Sequence, residues 1–507
     1  MKMKITDRRL KFGSVSLMIT LLVITATIIV NAAFSALAYK FNFYTVMSTD
    51  PTYDITDNCL NYIEKTVIPK MQSGKVATIY FCDDREIIEA DESTKNLLSA
   101  AEKLQKAFSQ NIKVEFLNVW ENPKQAREYG IENSTDVAIV YGDSCQVITY
   151  EDFFLWNTET STAVAYNGER RFAAGLLKAV RDENPMCYIT VNHGELLESY
   201  ELLYMLADAG YNYTYIDLVN FDIPEDCELL ITFDPRQDLI KKSSLSSISE
   251  VEKIQNYMEN GGNYWFFASS DTFLAGSLEN FEEILSTYGA KFAHSENSDG
   301  VEECLQIRDP NNAVSFDGYT IFAKKAETDA ASILSGIKTQ TLFTNATAIT
   351  PADGYTEQAD GSFVSADKKT VFSPLLVTHE GAEAWANGRI TQKSTKDEGF
   401  TLMSLSVSEC ENGAKSTLMV CASTAFANEE AMQSTVYGNS SVLYAISVAS
   451  GNSDAPIDLS AKPFPTTQMR TLSTKNATII TVVCTVAPTL LVAICGAVIL
   501  IKRKNRV

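Results

Sequence analysis

Two long apolar segments, near the two ends of the chain, frame a body in which short apolar runs alternate with polar ones. The first segment, residues 15–38, contains no polar side chain except hydroxyl residues and Asn31. At about 1.5 Å rise per residue, such a helix can cross a hydrocarbon core about 30 Å thick. The second segment covers residues 477–501. The pattern therefore predicts two transmembrane helices.

The charges beside these segments predict their orientation. Lysine and arginine dominate the tail before the first segment, residues 1–14, and the tail after the second, residues 502–507. Basic flanks stay in the cytoplasm, so we expect a multi-pass protein of a bacterial cell membrane with both termini cytoplasmic and the body outside. The tripeptide Ala36-Leu37-Ala38 resembles a signal-peptidase site, but the apolar run exceeds the usual 7–15 residues, which favours a retained span. Cleavage there would leave the body held by the second span alone.

The first part of the body predicts a thioredoxin-like α/β domain over residues 76–160. Residues 39–75 before it are expected to form a polar stalk with one short helix, 56–68, ended by Pro69. Strand, helix, strand, helix, strand, strand is the order of a thioredoxin-like domain, and the alternation implies a mostly parallel sheet. The predicted strands are residues 76–81, 112–119, 137–141 and 147–150, and the predicted helices are residues 93–108 and 123–129.

A second α/β domain is predicted over residues 161–300, and residues 301–450 form a β-rich extension that completes the ectodomain. The second domain fits a doubly wound, flavodoxin-like or amidotransferase-like sheet. Its predicted strands are residues 187–191, 212–218, 229–233 and 263–267, and its helices are residues 168–180, 196–209, 248–259 and 281–288. In the extension, Asp353-Gly354, Asp360-Gly361 and Asn387-Gly388 are candidate hairpin turns, and residues 440–449 form a helix. Residues 451–476 are predicted to be a linker to the second span.

Composition excludes several classes of function. The chain has 507 residues, 45% of them hydrophobic and 21% charged, which is typical of a globular protein. The formal charge of −22 argues against binding nucleic acid and against a body that lies on the bilayer. Only three histidines occur, so a histidine-rich metal site is not expected; His294 and His379 are isolated and expected at the surface.

The cysteines favour buried free thiols over a disulfide scaffold. Cys484 and Cys495 lie in the second apolar segment, and the other eight are scattered without a C-x-x-C pair. One or two disulfides among these eight remain open. Cys82 follows the first predicted strand, where a thioredoxin-like fold would carry its chemistry, but Arg85 stands where a second thiol is needed. Asp83 and Asp84 would raise the pKa of the Cys82 thiol, so we expect no redox role.

The candidate functional site is Asn192-His193-Gly194-Glu195, which follows the first strand of the second domain. Ligands of open α/β sheets collect at the carboxyl ends of the strands. His193 and Glu195 could form an acid/base pair. A cysteine at a strand-to-helix elbow is missing, however, because Cys187 begins its strand, and no G-x-S-x-G elbow occurs. The pattern therefore favours a role in the turn or in contact with a ligand or partner over catalysis.

No cofactor is predicted. Residues 413–417 resemble the end of a P-loop, but the spacing of G-x-x-x-x-G-K-[ST] fails. Two spans are also too few to form a solute pathway on their own. Each span carries a pair of alanines at i, i+4, Ala32 with Ala36 and Ala493 with Ala497, which permits close contact with another helix.

The layout resembles the gliding-motility G-subunit (GldG-like) family, the extracytoplasmic auxiliary component of ABC-2-type transport systems. The similar motifs are Lys11-Phe12-Gly13-Ser14, Asn167-Gly168-Glu169, Asn192-His193-Gly194-Glu195, Asp234-Pro235, Tyr257-Met258-x-x-Gly261-Gly262, Leu285-x-x-Tyr288-Gly289 and Tyr437-Gly438-Asn439. Asn192 and Met258 depart from the usual glycine and leucine. The resemblance implies a non-enzymatic subunit whose partners are a separate permease and a cytoplasmic ATPase.

Three hypotheses follow. The first is the accessory subunit, which binds an unidentified ligand, cell-wall polymer or partner outside and docks on the permease in the membrane. The second is a membrane-anchored hydrolase that uses His193 and Glu195. The third is a stand-alone receptor for a solute or for the cell wall.

Overall fold

A computed structural model describes residue 25 and residues 51–157, 160–195, 200–242, 248–274, 276–296, 302–396, 398–434, 436–450, 453–456 and 459–464. The predicted spans 15–38 and 477–501 lie outside these residues, apart from Thr25. So do the basic tails, residues 39–50 of the predicted stalk and most of the predicted linker. Within the described part of the chain, no helix has the length and apolar character needed to cross a membrane.

The first part of the body combines a small mixed sheet with helices. Strand β1 pairs in parallel with β2 and antiparallel with β3, and β3 pairs antiparallel with β4, which gives the order β2-β1-β3-β4. The elements are α1 (Asp57–Tyr62), β1 (Ala77–Phe81), α2 (Arg85–Ala90), α3 (Glu92–Ala107), β2 (Ile112–Phe116), α4 (Pro123–Tyr129), β3 (Val137–Tyr141), β4 (Ser144–Ile148), β5 (Phe154–Asn157), β6 (Thr162–Tyr166) and α5 (Gly168–Val180). The expectation of a mostly parallel sheet is wrong for this sheet, because β3 and β4 return as an antiparallel pair.

The N-terminal segment is part of this core. The Thr56 hydroxyl accepts the Cys59 N–H and begins α1, and a π turn and a 3₁₀ turn continue the helical path to Lys70. Cys59, Ile63 and Val67 recur every four residues and are fully buried with the side chains of the sheet. Residues 57–70 therefore pack onto the first sheet, whereas the sequence suggested a polar stalk that stands apart from it.

Helix α5 also packs on the first sheet, whereas the sequence pattern predicts it in the second domain. Phe172, Leu176 and Leu177 are fully buried in the same cluster as Ile79 and Leu97. The amphipathic pattern predicted the helix with its observed bounds, but such a pattern does not say which sheet the apolar side covers.

The second part is a parallel sheet with helices on both faces. Its strand order β8-β7-β9-β10 continues in parallel to a strand much later in the sequence. The elements are β7 (Met186–Thr190), α6 (Glu201–Asp208), β8 (Asn212–Ile216), β9 (Cys227–Phe233), α7 (Glu250–Glu259), β10 (Asn263–Phe267) and α8 (Glu279–Thr287). Every residue of β10 is buried. Trp265 and Phe267 face the helix α6 side, while Tyr264 and Phe266 face α7 and α8, as expected for a strand covered on both faces.

Some of the remaining strands extend this sheet, mostly in antiparallel fashion, and the others form small separate sheets. The elements are β11 (Ala290–Phe292), β12 (His294–Glu296), β13 (Glu302–Cys304), β14 (Gln306–Arg308), β15 (Thr320–Lys325), β16 (Thr341–Thr344), β17 (Ile349–Pro351), β18 (Thr356–Glu357), β19 (Phe363–Val364), β20 (Thr370–Thr378), β21 (Glu383–Ala386), β22 (Arg389–Lys393), β23 (Thr401–Glu409), β24 (Lys415–Cys421), α9 (Glu429–Met432), α10 (Asn439–Ala449) and β25 (Lys462–Pro463). The large sheet continues along the path β10-β24-β23-β20-β15-β16, and β11, β17, β18 and β19 pair beside it. Three small sheets are separate from it: β12-β13, β14-β21-β22 and β25-β6-β5. Strands β21 and β22 meet at Asn387-Gly388, both with positive φ, which confirms that predicted hairpin turn.

A buried polar contact holds the two parts of the body together. The Arg171 guanidinium of α5 forms an ion pair with the Asp208 carboxylate of α6, and the Tyr444 hydroxyl of α10 donates to the same carboxylate at 2.9 Å. Arg170 lies over the Tyr444 ring, 4.3 Å from its centroid, and donates to the Leu459 carbonyl at 2.7 Å. These side chains join α5, on the first sheet, to helices of the second part.

Candidate functional site

The predicted site lies where the parallel sheet changes winding direction. Strand β8 lies on one side of β7 and β9 on the other, so the carboxyl ends of β7 and β9 border the switch point where such sheets usually bind ligands. Asn192, two residues after the end of β7, has φ 83°, and Asp234, directly after β9, has φ 53°. Gly194 has φ 73°, and a Cβ at this position would lie 3.0 Å from the Cβ of Arg236. The two turns therefore pack tightly against each other.

His193 is clamped between two carboxylates. Its Nδ1 lies 3.3 Å from Oε1 of Glu195 and its Nε2 lies 3.0 Å from Oε2 of Glu250, the first residue of α7. The side chains of these three residues are at most 5% exposed. The backbone N–H of His193 also donates to Oε2 of Glu195 at 2.6 Å.

Hydrogen bonds from neighbouring strand and loop residues fix both carboxylates. The Thr190 hydroxyl donates to Oε1 of Glu195 at 3.0 Å and contacts the Thr232 hydroxyl of β9 at 2.9 Å. The backbone N–H of Ile240 donates to Oε2 of Glu250 at 2.7 Å. The other Glu250 oxygen, Oε1, is buried and has no hydrogen-bond partner among the described residues.

The electrostatics of this cluster keep His193 protonated at neutral pH. Burial alone would lower the pKa of the imidazolium, but the hydrogen bonds and negative charges of Glu195 and Glu250 outweigh it and raise the pKa to about 9. Burial would raise the pKa of Glu195, yet hydrogen bonds from the His193 ring and from backbone N–H groups hold it below its ordinary value. Both ring nitrogens contact a carboxylate, so the cluster links the turn after β7 to the start of α7 by buried charges. We call His193, Glu195 and Glu250 the His193 lock.

The turn after β9 completes the cluster. The backbone N–H groups of Arg236 and Gln237 both donate to the His193 carbonyl at 2.8 Å. The Arg236 guanidinium binds the Asp234 carboxylate at 2.5 Å and the Asp271 carbonyl at 2.7 Å. Asp234 of the Asp234-Pro235 motif is thus brought beside the predicted site, although the two are far apart in sequence.

The four predicted site residues have different surroundings. His193 is buried and Glu195 is nearly so, whereas Asn192 and Gly194 are exposed. The Asn192 side chain hydrogen-bonds the carboxylate of Asp217, which follows β8. Burial would raise the pKa of Asp217, but this and other hydrogen bonds outweigh burial and lower it. Glu250 is not among the predicted site residues, because a glutamate in the first turn of a helix is normally solvated and interacts favourably with the helix dipole.

Cys82 lies at the corresponding edge of the first sheet. Its side chain is fully buried, and burial, reinforced by the nearby Asp136 carboxylate, raises the pKa of the thiol to about 12. The sequence predicts a raised thiol pKa from Asp83 and Asp84, but burial is the main cause and Asp83 contributes least. All eight described cysteines are free thiols, as the sequence favoured.

The Asn167-Gly168-Glu169 motif lies where the two ends of the described body meet. The buried Glu169 carboxylate accepts the backbone N–H of Thr56 and forms an ion pair with Lys462 of β25 at 2.9 Å. Strand β25 pairs with β6, and the Tyr53 ring lies 4.7 Å from that of Tyr166 and 5.8 Å from that of Phe464. Glu169 therefore holds the first and the last described residues of the body close together.

Two further motifs stabilise the fold. In Tyr257-Met258-x-x-Gly261-Gly262, a Cβ on Gly262 would lie 2.4 Å from the Tyr257 ring, so only glycine fits against that ring. In Tyr437-Gly438-Asn439, the buried Asn439 amide donates to the carbonyls of Leu342 and Phe426 at 2.8 and 3.0 Å.

Comparisons with known proteins assign the chain to no family, so its mixed α/β fold is the description that stands. No family model matches the sequence, and no curated protein matches it significantly. The N-terminal domain of mmIFT52 is similar over 53% of this chain and 98% of its own, with 11% identity and a TM-score of 0.34. PurLQS from Thermotoga maritima matches over 53% and 97%, with 13% identity and a TM-score of 0.23. A cytoplasmic protein from Salmonella typhimurium matches over 52% and 98%, with 11% identity and a TM-score of 0.29. These likenesses are too low to bear on function.

Proposed function

We propose that the protein is a non-catalytic, extracytoplasmic auxiliary subunit of an ABC-2-type transport system. In this proposal, residues 15–38 and 477–501 span the cell membrane, and the α/β body lies outside. The body contacts a ligand or partner there, while the spans dock on a separate permease that is driven by a cytoplasmic ATPase.

The observation that carries the proposal is the meeting of the two ends of the described body. Residues 51–56 lead from the first apolar segment and residues 459–464 lead toward the second. They lie together around Glu169, Lys462 and the rings of Tyr53 and Phe464. Neighbouring ends support the proposal, because two spans attached to them would enter the bilayer close to each other.

The strand orders support the finer fold assignments. A β2-β1-β3-β4 sheet with one parallel and two antiparallel pairs supports a thioredoxin-like first domain. The order β8-β7-β9-β10-β24, all parallel, is the flavodoxin-like order 2-1-3-4-5. It supports a doubly wound second domain.

The chemistry of both sheet edges favours a non-catalytic protein. Cys82 is a buried thiol with a pKa of about 12 and has Arg85 where a second thiol would stand. A hydrolase that uses His193 would need its ring to reach a substrate. That ring is 4% exposed, and both its nitrogens contact buried carboxylates, which supports a positioning role over catalysis.

Copurification tests the proposal. The full chain, affinity-tagged and extracted from membranes in mild detergent, should bring down an integral permease and a peripheral ATPase. Recovery of the chain alone, or from the soluble fraction, would refute the proposal.

A pair of matched variants makes this experiment sharper. Ala493→Leu together with Ala497→Leu enlarges the small-residue side of the second span and should reduce recovery of the permease. Val492→Leu in the same span is the control and should leave recovery unchanged. In addition, a protease added outside intact cells should cleave the body, and protection of the body there would contradict the proposed orientation.

A further inference from the structure

A small cavity lies at the far end of the large sheet from the His193 lock. It has a volume of about 260 Å³ and opens where the ends of β15 and β20 meet the segment before β16 and helix α10. Its inner wall is apolar, formed by buried side chains of Ala323, Leu334, Leu376 and Val442. Its rim is polar and basic, and the side chains that matter most there are Lys324, Lys325, Lys338 and His379.

The charge of this rim is opposite to that of the molecule. The chain carries −22, yet no aspartate or glutamate lines the cavity. Among the described residues, no carboxylate forms an ion pair with Lys324, Lys325 or Lys338. On an acidic surface, three lysines around one opening without a carboxylate among them form a local positive potential that attracts anions.

The hydrogen bonds of Lys324 and Lys325 do not neutralise the positive charges of these lysines. The Lys325 ammonium donates to the Ile337 carbonyl at 2.5 Å, and the Lys324 ammonium lies 3.4 Å from the Lys396 carbonyl. Carbonyl oxygens satisfy hydrogen-bond donors but carry no net charge. An anionic ligand at the rim would therefore gain charge-assisted hydrogen bonds.

We propose that this cavity binds a small organic acid, with its ionised carboxylate at the lysine rim and its apolar part against the inner wall. Sites for drug-sized ligands typically measure about 300–1,000 Å³ and combine an apolar wall with a few polar groups. The cavity of about 260 Å³ has that composition and suits a smaller molecule. The site goes beyond the proposed transport role and does not depend on it, because all its residues belong to the described body.

Calorimetric titration of the full chain in a nonionic detergent tests this proposal, with benzoate as the probe. Benzoate should bind saturably. Benzamide has the same ring without the charge, and formate has the charge without the ring, so each should bind at least roughly tenfold more weakly. Equal affinity for benzoate and benzamide, or no benzoate binding at millimolar concentration, would overturn the proposal.

Charge variants locate the site. Lys324→Gln combined with Lys338→Gln should weaken benzoate binding roughly tenfold or more and should leave the thermal unfolding midpoint unchanged, because neither side chain is buried. Lys106→Gln, at an exposed position in the last turn of α3, is the matched control and should bind benzoate as the unmodified chain does. An equal loss in the control variant would mean nonspecific attraction and would refute the site. Failure of the permease copurification would leave these results unaffected.

Discussion

The His193 lock makes the stability of the second sheet depend on pH in a way that one substitution should remove. In His193→Gln, the side chain stays polar and similar in size but cannot carry a positive charge. The variant therefore leaves the Glu195 and Glu250 carboxylates buried without their shared cation. Removing one partner of a buried ion pair typically costs about 3–5 kcal/mol.

The magnitude and its sign follow from the pKa of His193. This pKa rises from 6.5 to about 9 in the folded protein. A pKa difference of one corresponds to about 1.4 kcal/mol, so protonated His193 contributes about 3 kcal/mol to the free energy of unfolding. Between pH 6.5 and 9 the folded state binds more protons than the unfolded state. The contribution is therefore complete below pH 6.5 and is lost as the pH rises through 9.

Urea unfolding of the full chain in a nonionic detergent, followed by intrinsic fluorescence, measures this dependence. The buried Trp265 of β10 reports on the sheet that holds the lock. We expect His193→Gln to be about 3 kcal/mol less stable than the unmodified chain at pH 6.5, and this difference should shrink toward pH 9. Because the pKa of Glu195 is lowered, its own contribution changes only under acidic conditions, and a range above pH 6 keeps it constant.

His294→Gln is the matched control. The His294 ring hydrogen-bonds the Glu282 carboxylate at 2.6 Å, but both side chains are partly exposed. Its loss should cost less than about 1 kcal/mol. A stability difference for His193→Gln that stays constant from pH 6.5 to 9 would refute the assignment of a protonated lock.

Three other substitutions or reactions test separate parts of the structure. Glu169→Gln removes the ion pair that holds β25, so amide hydrogen exchange over residues 459–464 should speed up while β10 is unaffected; unchanged exchange would contradict the role of Glu169 at the chain ends. Arg171→Met leaves the buried Asp208 carboxylate without its cation and should lower the free energy of unfolding by about 3–5 kcal/mol, whereas Arg85→Met, which breaks only exposed ion pairs, should cost less than about 1 kcal/mol. Cys82, whose thiol has a pKa of about 12, should not react with maleimide at pH 8 until urea unfolds the protein, and labelling of the native protein would refute its burial.

Local sequence patterns predicted many elements well but not how they assemble. Helices α4 and α5 and strands β3 and β10 have the bounds that the apolar spacing predicts. The direction of β3 and β4 was missed because alternation of strands and helices does not say which strands run antiparallel. Likewise, the amphipathic face of α5 gave no indication that it covers the first sheet. The position of α5 and the antiparallel pairing of β3 with β1 both depend on contacts between residues distant in sequence. The hairpin of β3 and β4 is local, because only Gly142-Asp143 joins the two strands.

The candidate site shows the same division between local and distant information. The turn at Asn192-His193-Gly194-Glu195 could be predicted, because a polar run with glycine directly after an apolar strand is a local signal. Glu250 and Arg236 could not, since they reach His193 only through the packing of α7 and the turn after β9. No local pattern indicates that a glutamate at a helix start is fully buried against a histidine.

The lock also bears on where the body could bind a ligand. In a doubly wound sheet, the switch point is normally an open crevice for a ligand. Here the chain fills it with its own charges, because Glu250 binds the His193 ring and the turn at Arg236 binds the His193 carbonyl. A ligand at this position would have to displace interactions that stabilise the sheet by about 3 kcal/mol. The basic cavity at the other end of the sheet requires no such displacement. Substitutions at His193 should therefore change stability and spare benzoate binding, while those at Lys324 and Lys338 should do the opposite.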